Sequence, residues 1–461
     1  MGNLPPHSAL LTDLYELTMA AAYFEDKLEA NATFELFVRS LPPERSFLIA
    51  AGLEQALDFL EQLRFSDDEV QYLREQPAFH HISPEFFDYL KEFRFTGEVW
   101  AVAEGTPVFA EEPLLRVTAP IIAAQIVETF LLSTLTFQTM IASKAARIVS
   151  AAQGRRVIEF GSRRAHGPEA GVLAARAAYI GGCAGTSNVE AGRRFGVPVF
   201  GTLAHSFVMA YAKEEDAFRK FQQLFPERSV LIVDTYDTRE AVEKIIENNM
   251  RPTAIRLDSG DLLELSVAAR ERLDEAGLRD TKIFASGDLD EYAITELVAR
   301  GARIDAFGVG TALATSKDAP ALGGVYKLVD IESGGVTSYR AKFSEDKATY
   351  PGRKQVFRFY DSDGNFQRDI IACADEGFDY DEQLLECVMQ NGKRLHSSPD
   401  LSSIQQRARE QIERIPERCS RLRDAKPYPV TFSECLKKLL GDVRGRMKPR
   451  TGPATERSRV L

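Results

Sequence analysis

Tryptophan occurs once in the 461-residue chain and cysteine five times, and Cys183, Cys373, Cys387, Cys419 and Cys435 stand far apart with no CxxC pair. An odd set of widely spaced thiols argues against a disulfide framework and against a zinc site, and makes a reducing cytoplasm the expected compartment. Basic charge is not in excess either, since 57 Lys and Arg face 68 Asp and Glu for a net charge of -11. No global field attracts nucleic acid or an anionic membrane surface, so an anionic substrate must be met by a local group of Arg or Lys. Long apolar runs are also missing. The most apolar stretch, 121–137, is interrupted by Gln125, Glu128 and several hydroxyl residues, and reads as a core helix rather than a membrane span. The opening MGNLPPHSALLTDLYELTM has no basic region, carries Asp13 and Glu16 where a secretion signal would be apolar, and breaks the myristoylation pattern of Gly2 with Pro6.

What the chain does have is ordinary globular composition, 44% hydrophobic and 27% charged, and length for two or three domains. Residues 1–140 mix helix-like patterns (LTDLYELTMAAAYFE) with alternating strand-like ones (ATFELFVR, GEVWAVAEG), which makes an α+β region. From 141 to 325 a rhythm sets in of short apolar run, polar loop and helix-like segment: RVIEFGSRR, VPVFGTLAHS, SVLIVDTYD, TAIRLDSGD, KIFASGD, IDAFGVGT. Runs this continuous in Val, Ile and Phe are expected for parallel strands buried on both faces. The class is therefore α/β, as a β/α barrel or an open parallel sheet, with ligands expected beyond the carboxyl ends of the strands. Residues 326–445 return to strand-like YKLVDI and VFRFYD followed by charged helical patterns, and the basic 446–461 reads as a disordered tail.

Chemistry-bearing residues cluster just after the apolar runs. In GTLAHS, Thr202 and His205 lie in a strand-to-helix loop. A lone histidine is usually structural, but Asp234 in VDTYD ends the next run, where it could fix the imidazole tautomer and leave the other nitrogen as nucleophile or base. IRLDSGD offers Arg256 for bidentate pairing with a carboxylate and Asp258 for ribose hydroxyls or the waters of a magnesium ion, although Asp258 to Gly260 with a cap at Asp261 also reads as a plain turn. Ser286 and Gly287 in ASGD, with Gly310 in GVGT, suit a phosphate held on backbone amides. Arg163 in EFGSRR could stack on an aromatic ring as well as pair with charge.

Together LLTDLYELTMA, TFELFVRSLP, EFGSRRAHGPEAG, GTSNVEAG, GTLAHS, VDTYD, IRLDSGDL, ASGDLD, GVGT and KFSEDKATYPGRKQV resemble the nicotinate phosphoribosyltransferase family, from about Leu10 to beyond residue 360. The resemblance implies an irregular β/α barrel with an additional α+β sandwich-like domain, a homodimer whose sites take residues from both subunits, and condensation of nicotinate with phosphoribosyl pyrophosphate in NAD biosynthesis. It further implies Mg2+, with ATP hydrolysed through a phosphohistidine in a ligase-type transfer. Carried over by position, His205 is the phosphorylated residue and Asp234 its orienter; Tyr15, Arg163, Thr202 and Arg256 contact nicotinate; Ser286, Gly287, Gly310 and Thr311 bind the 5-phosphate; Asp258 and Asp288 lie near the ribose or magnesium. Ser187 stands where nicotinamide-using relatives resemble one another in an aspartate. A carboxylate there would repel nicotinate, so the serine favours the acid. The competing readings are a nicotinamide or quinolinate phosphoribosyltransferase, a catalytically idle nucleotide-binding barrel and, at fold level only, a phosphate-binding isomerase or aldolase barrel.

Overall fold

The computed structural model describes residues 8–343 and 349–447; of the expected tail, residues 448–461 lie outside them. The apolar runs form a six-stranded parallel sheet of Arg156–Glu159, Gly185–Thr186, Val230–Ile232, Ala254–Leu257, Lys282–Ala285 and Ala306–Val309. Ala306–Val309 and Lys282–Ala285 lie at its centre, with Gly185–Thr186 at one edge and Val230–Ile232 at the other. Ile255, Leu257, Ile283, Ala285, Phe307 and Val309 are fully buried, as runs without polar alternation require. VPVFGTLAHS, which reads as a strand, makes only one isolated bridge, Thr186 to Val199. Pro198 has no amide to donate, and the chain continues extended with Phe200 N donating to the Thr186 carbonyl at 2.9 Å.

Helices return the chain between strands, and three of them start on an aspartate. Asp237, Asp261 and Asp290 accept from the free amides of Thr238–Glu247, Leu262–Glu275 and Glu291–Ala299, which fixes where each strand-end loop stops. The sheet curves round a cavity of about 510 Å³ that runs from Arg156, Lys282 and Asp305 up to Phe160, Thr202 and Phe284.

The second domain is built from both ends of the described chain. Asn31–Val38, Glu98–Val102 and Pro113–Pro120 pair antiparallel with one another and with Gly324–Ser333 and Leu385–Gln390 in a seven-stranded sheet. A four-stranded sheet carries Lys354–Tyr360, Phe366–Cys373 and Val430–Phe432. The expected α/β class, a barrel with a second sheet domain, is thus what the chain forms. The helix Glu128–Ala151 runs unbroken across residue 140, where the sequence suggests a boundary, because its first half packs on the sandwich and its second half on the barrel. Among the described residues Ile121–Ala151 is long and apolar enough to cross a membrane, but 67% of its most apolar window is buried inside the fold.

Candidate active site

Strand register builds the site. Ser286 N donates to the Leu257 carbonyl at 2.9 Å, Val233 N to Arg256 at 3.1 Å, Phe160 N to Val309 at 2.8 Å and Ser187 N to Glu159 at 2.9 Å. The residues that leave neighbouring strands therefore stand at one level, on the carboxyl rim where barrels place chemistry.

Arg256, only 8% exposed, is the hub of that rim. Its Nε donates to Ser286 Oγ at 2.8 Å, Nη1 to Thr202 Oγ1 at 2.8 Å and Nη2 to Asp258 Oδ1 at 2.5 Å, with the Phe160 ring 5.8 Å from the guanidinium carbon. Three of the five guanidinium N–H donors are used, which leaves one on each terminal nitrogen for an incoming carboxylate. Burial pushes the Asp258 carboxyl up, but the Ser286 hydroxyl at 2.6 Å and the Arg256 charge outweigh it and hold the group below the usual carboxylate range. Asp258 is ionised at neutral pH.

His205 opens the short helix His205–Met209 and its side chain is 40% exposed. Its Nδ1 lies 3.1 Å from Thr235 Oγ1 and its Nε2 3.8 Å from Asp258 Oδ2. Asp234, the partner expected from sequence, is not in contact with the ring. Its Oδ2 accepts instead from Asp258 N at 3.1 Å and Ser259 Oγ at 2.6 Å, and its buried Oδ1 has no partner. Consecutive residues of an extended chain project to opposite sides, so Thr235 faces the histidine while Asp234 faces the next loop and supports the Asp258 turn.

Two glycines set the remaining geometry. Gly287 has φ +108°, and a Cβ there would meet the Asp258 carbonyl oxygen at 2.5 Å. At Gly161 a Cβ would meet that of Ala314 at 2.2 Å, so only glycine lets the Arg163 loop pack against the loop of Gly310. Gly310 precedes the short helix Thr311–Ala314 and accepts from the amides of Leu313 and Ala314, while Thr311 and Asp288 are exposed on the rim. Beneath Arg163, fully buried Glu159 takes hydrogen bonds from Thr186 Oγ1 at 2.6 Å and from Gly161 N, and its burial pushes the carboxyl up.

Of the residues named from sequence, Thr202, Asp258, Ser286 and Arg256 are brought into one hydrogen-bonded group with His205 beside it, 3.8 Å from Asp258, and Gly287, Asp288, Gly310 and Thr311 lie on the adjoining strand ends. Arg163 is exposed above them without an ion pair among the described residues, and Ser187 follows Gly185–Thr186 in a loop tied to it by Asn188 Nδ2 donating to Ser162 Oγ at 3.1 Å. Tyr15 does not join them within this chain. It sits 45% exposed on the helix Leu14–Glu25 of the second domain, its hydroxyl beside Glu128. Sequence reasoning missed Thr235 and Phe160; the second reads as one more core residue in an apolar run.

The chain matches the nicotinate phosphoribosyltransferase N-terminal domain over residues 10–136, the quinolinate phosphoribosyl transferase C-terminal domain over 141–319 and the nicotinate phosphoribosyltransferase C-terminal domain over 378–440. A nicotinate phosphoribosyltransferase of Mycobacterium tuberculosis is 48% identical over 434 residues, 92% of each chain. One from Bacillus subtilis is 41% identical over 92% of this chain and 93% of its own. In three dimensions the chain resembles the crystal structure of human nicotinic acid phosphoribosyltransferase, with a TM-score of 0.81 and 30% identity across 94% of this chain and 100% of that one. Likeness of this extent in both sequence and fold, with a rim that gathers an arginine, a histidine and small phosphate-sized loops, means that the chain belongs to the nicotinate phosphoribosyltransferase family.

Proposed function

We propose that the chain condenses nicotinate with phosphoribosyl pyrophosphate to nicotinate mononucleotide and pyrophosphate, with ATP hydrolysis coupled through transient phosphorylation of His205. The observation that carries the reading is Arg256, buried at the barrel rim with two N–H donors unused and an apolar ring beside it. Those donors take the nicotinate carboxylate, while Phe160 contacts the pyridine. Thr202 and Ser286 hold the guanidinium in that pose through their hydroxyls. A flat acid fixed this way presents its ring nitrogen in one direction, which converts a weak nucleophile into a positioned one.

The phosphoribosyl group lies over Ser286, Gly287, Gly310 and Thr311, where backbone amides at the strand ends meet its 5-phosphate. Asp258, ionised and 3.8 Å from His205, places negative charge beside the oxocarbenium-like carbon that forms as pyrophosphate departs. The donor set of Asp258, Asp288 and the unpartnered Asp234 Oδ1 suits a hard, oxygen-seeking cation. Magnesium bound with the diphosphate would supply charge neutralisation for the leaving group. Thr235 sets the His205 ring and is the positioning residue for phosphoryl acceptance. Ser187, which carries no charge, admits the acid where an aspartate would repel it. Against the quinolinate alternative stand the two flanking domain matches to nicotinate enzymes.

The test is one assay of nicotinate, nicotinamide or quinolinate with phosphoribosyl pyrophosphate and magnesium, with and without ATP, for wild type and His205→Ala. Nicotinate is consumed and ATP stimulates wild type only. Failure to consume nicotinate removes the transferase reading. Full ATP stimulation in His205→Ala removes the phosphohistidine and leaves the transferase.

A further inference from the structure

We infer that Cys373, Glu376 and Cys435, far from one another in sequence and outside the barrel rim, form a binding site for a thiophilic divalent cation of the zinc type. Spacing along the chain argues against any such site, and the four-stranded sheet is what creates it. The strand Phe366–Cys373 ends on Cys373, and Val430–Phe432 runs parallel beside it. Ser433 N then donates to the Ile371 carbonyl at 2.9 Å, and the chain turns into the helix Glu434–Met447 with Cys435 in its first turn. Parallel register thus carries Cys435 to Cys373, sulfur to sulfur at 3.8 Å. Glu376 enters from the turn after the strand, closed by its own amide donating to the Cys373 carbonyl at 2.9 Å. One ligand atom from each of the three residues lies within 4.8 Å of the other two.

The distances discriminate between the bonds two thiols can make. A disulfide needs sulfurs about 2.05 Å apart, whereas a tetrahedral ion with metal–sulfur bonds of about 2.3 Å spans roughly 3.8 Å between its two sulfurs. The observed separation, at which the Cys373 thiol donates to the Cys435 sulfur, excludes a disulfide and already matches the sulfur spacing that the ion requires. The carboxylate is also pre-set in the manner of a metal ligand: Glu376 Oε2 accepts from Ser433 Oγ at 2.6 Å and Cys373 N at 3.3 Å, which leaves Oε1 for an ion. Cys435 is exposed, so the ion enters from solvent and a water completes the fourth position. Each thiol releases its proton to solvent as its metal–sulfur bond forms. The ion clips the last described helix to its strand; that helix lays Leu439 against Gly352, and Phe432 just before it stacks on Tyr350 at 3.9 Å.

The experiment is a cobalt(II) titration of the full chain, stripped of metal with a chelator and kept reduced, read by the thiolate-to-cobalt charge-transfer absorption. Wild type and Cys387→Ser saturate at one equivalent of micromolar cobalt. Cys435→Ser and Cys373→Ser lose the band, and Glu376→Gln binds at least roughly tenfold more weakly. Zinc raises the Tm of wild type and leaves that of Cys435→Ser unchanged. No sulfur band below millimolar cobalt, or a band that survives Cys435→Ser, overturns the site. Should Cys373→Ser fail to fold, the exposed Cys435→Ser decides alone.

Discussion

Arg256 shows what a single residue carries that its sequence neighbourhood announces. Its place in TAIRLDSGD, an apolar run ending in a charged loop, already marks it as a strand-end arginine; strand register brings it Ser286, its own loop brings Asp258, and the extended segment after Val199 brings Thr202. Arg256→Lys keeps the charge and loses the fork. The expected cost is about 1.5–3 kcal/mol of nicotinate binding in the transition state, the worth of hydrogen bonds to charged groups, read as a fall in kcat/KM of roughly tenfold or more. Gly287→Ala tests geometry rather than charge. Its φ of +108° and the 2.5 Å approach of the Asp258 carbonyl leave no room for a methyl group. About 1–3 kcal/mol of strain is expected, with a raised KM for phosphoribosyl pyrophosphate and a lowered urea midpoint. Thr235 and Asp234 show what stays hidden at this scale. Which of two adjacent polar residues faces His205 depends on the direction of an extended chain, and a sequence records their order without their sides.

Elements were legible where their causes are local. Six apolar runs announced strands, five of which formed as full strands, with Gly185–Thr186 added between them, and Asp261 announced a helix start, which the structure repeats at Asp237 and Asp290. The stretch 121–137 was legible as a core helix and forms Ile121–Gln125 and the first turns of Glu128–Ala151, but the polar contacts of that long helix were not legible. It presents Lys144 and Arg147 to Glu291, the fully buried first residue of Glu291–Ala299, at 2.5 and 3.0 Å, and Lys144 also meets Asp318 at 2.7 Å. Arg45 joins Asp318 at 3.1 Å, so three cations share two carboxylates. Removing one carboxylate strands buried positive charge rather than subtracting one weak pair. Glu291→Ala is expected to destabilise by about 3–5 kcal/mol, the range for breaking a buried ion pair. A Glu291→Leu, Lys144→Met double variant should recover part of that loss in urea unfolding, since the Lys144 ammonium is no longer stranded and only Arg147 is left without its carboxylate. If Glu291→Ala unfolds at the wild-type urea concentration, the network is ornamental.

At the scale of the whole molecule, the two ends of the described chain meet in one domain, and this no local pattern could give, because strand partners such as Phe34 and Leu328 are separated by almost the entire barrel. The junction is locked by a buried polar group in which Arg358 donates to Asp369 at 2.7 Å, Tyr428 donates to Asp369 at 3.0 Å and Glu112 arrives from the N-terminal region. Burial first, and then the charge of Asp369, push the Glu112 carboxyl well above its ordinary value, with Arg358 opposing them only in part. Such a carboxyl keeps its proton to higher pH in the folded chain than in the unfolded one. A group whose folded pKa is raised gives stability that is complete below its unfolded pKa, near 4.5, and is lost as pH rises toward the folded value. The urea midpoint of wild type should therefore fall as pH is raised above that point, by up to about 1.4 kcal/mol per pH unit from this one proton. Glu112→Gln keeps a donor facing Asp369 and has no proton to lose. Its stability should run flatter with pH and cross above that of wild type on the alkaline side; parallel profiles for the two proteins would mean that the junction does not titrate through Glu112.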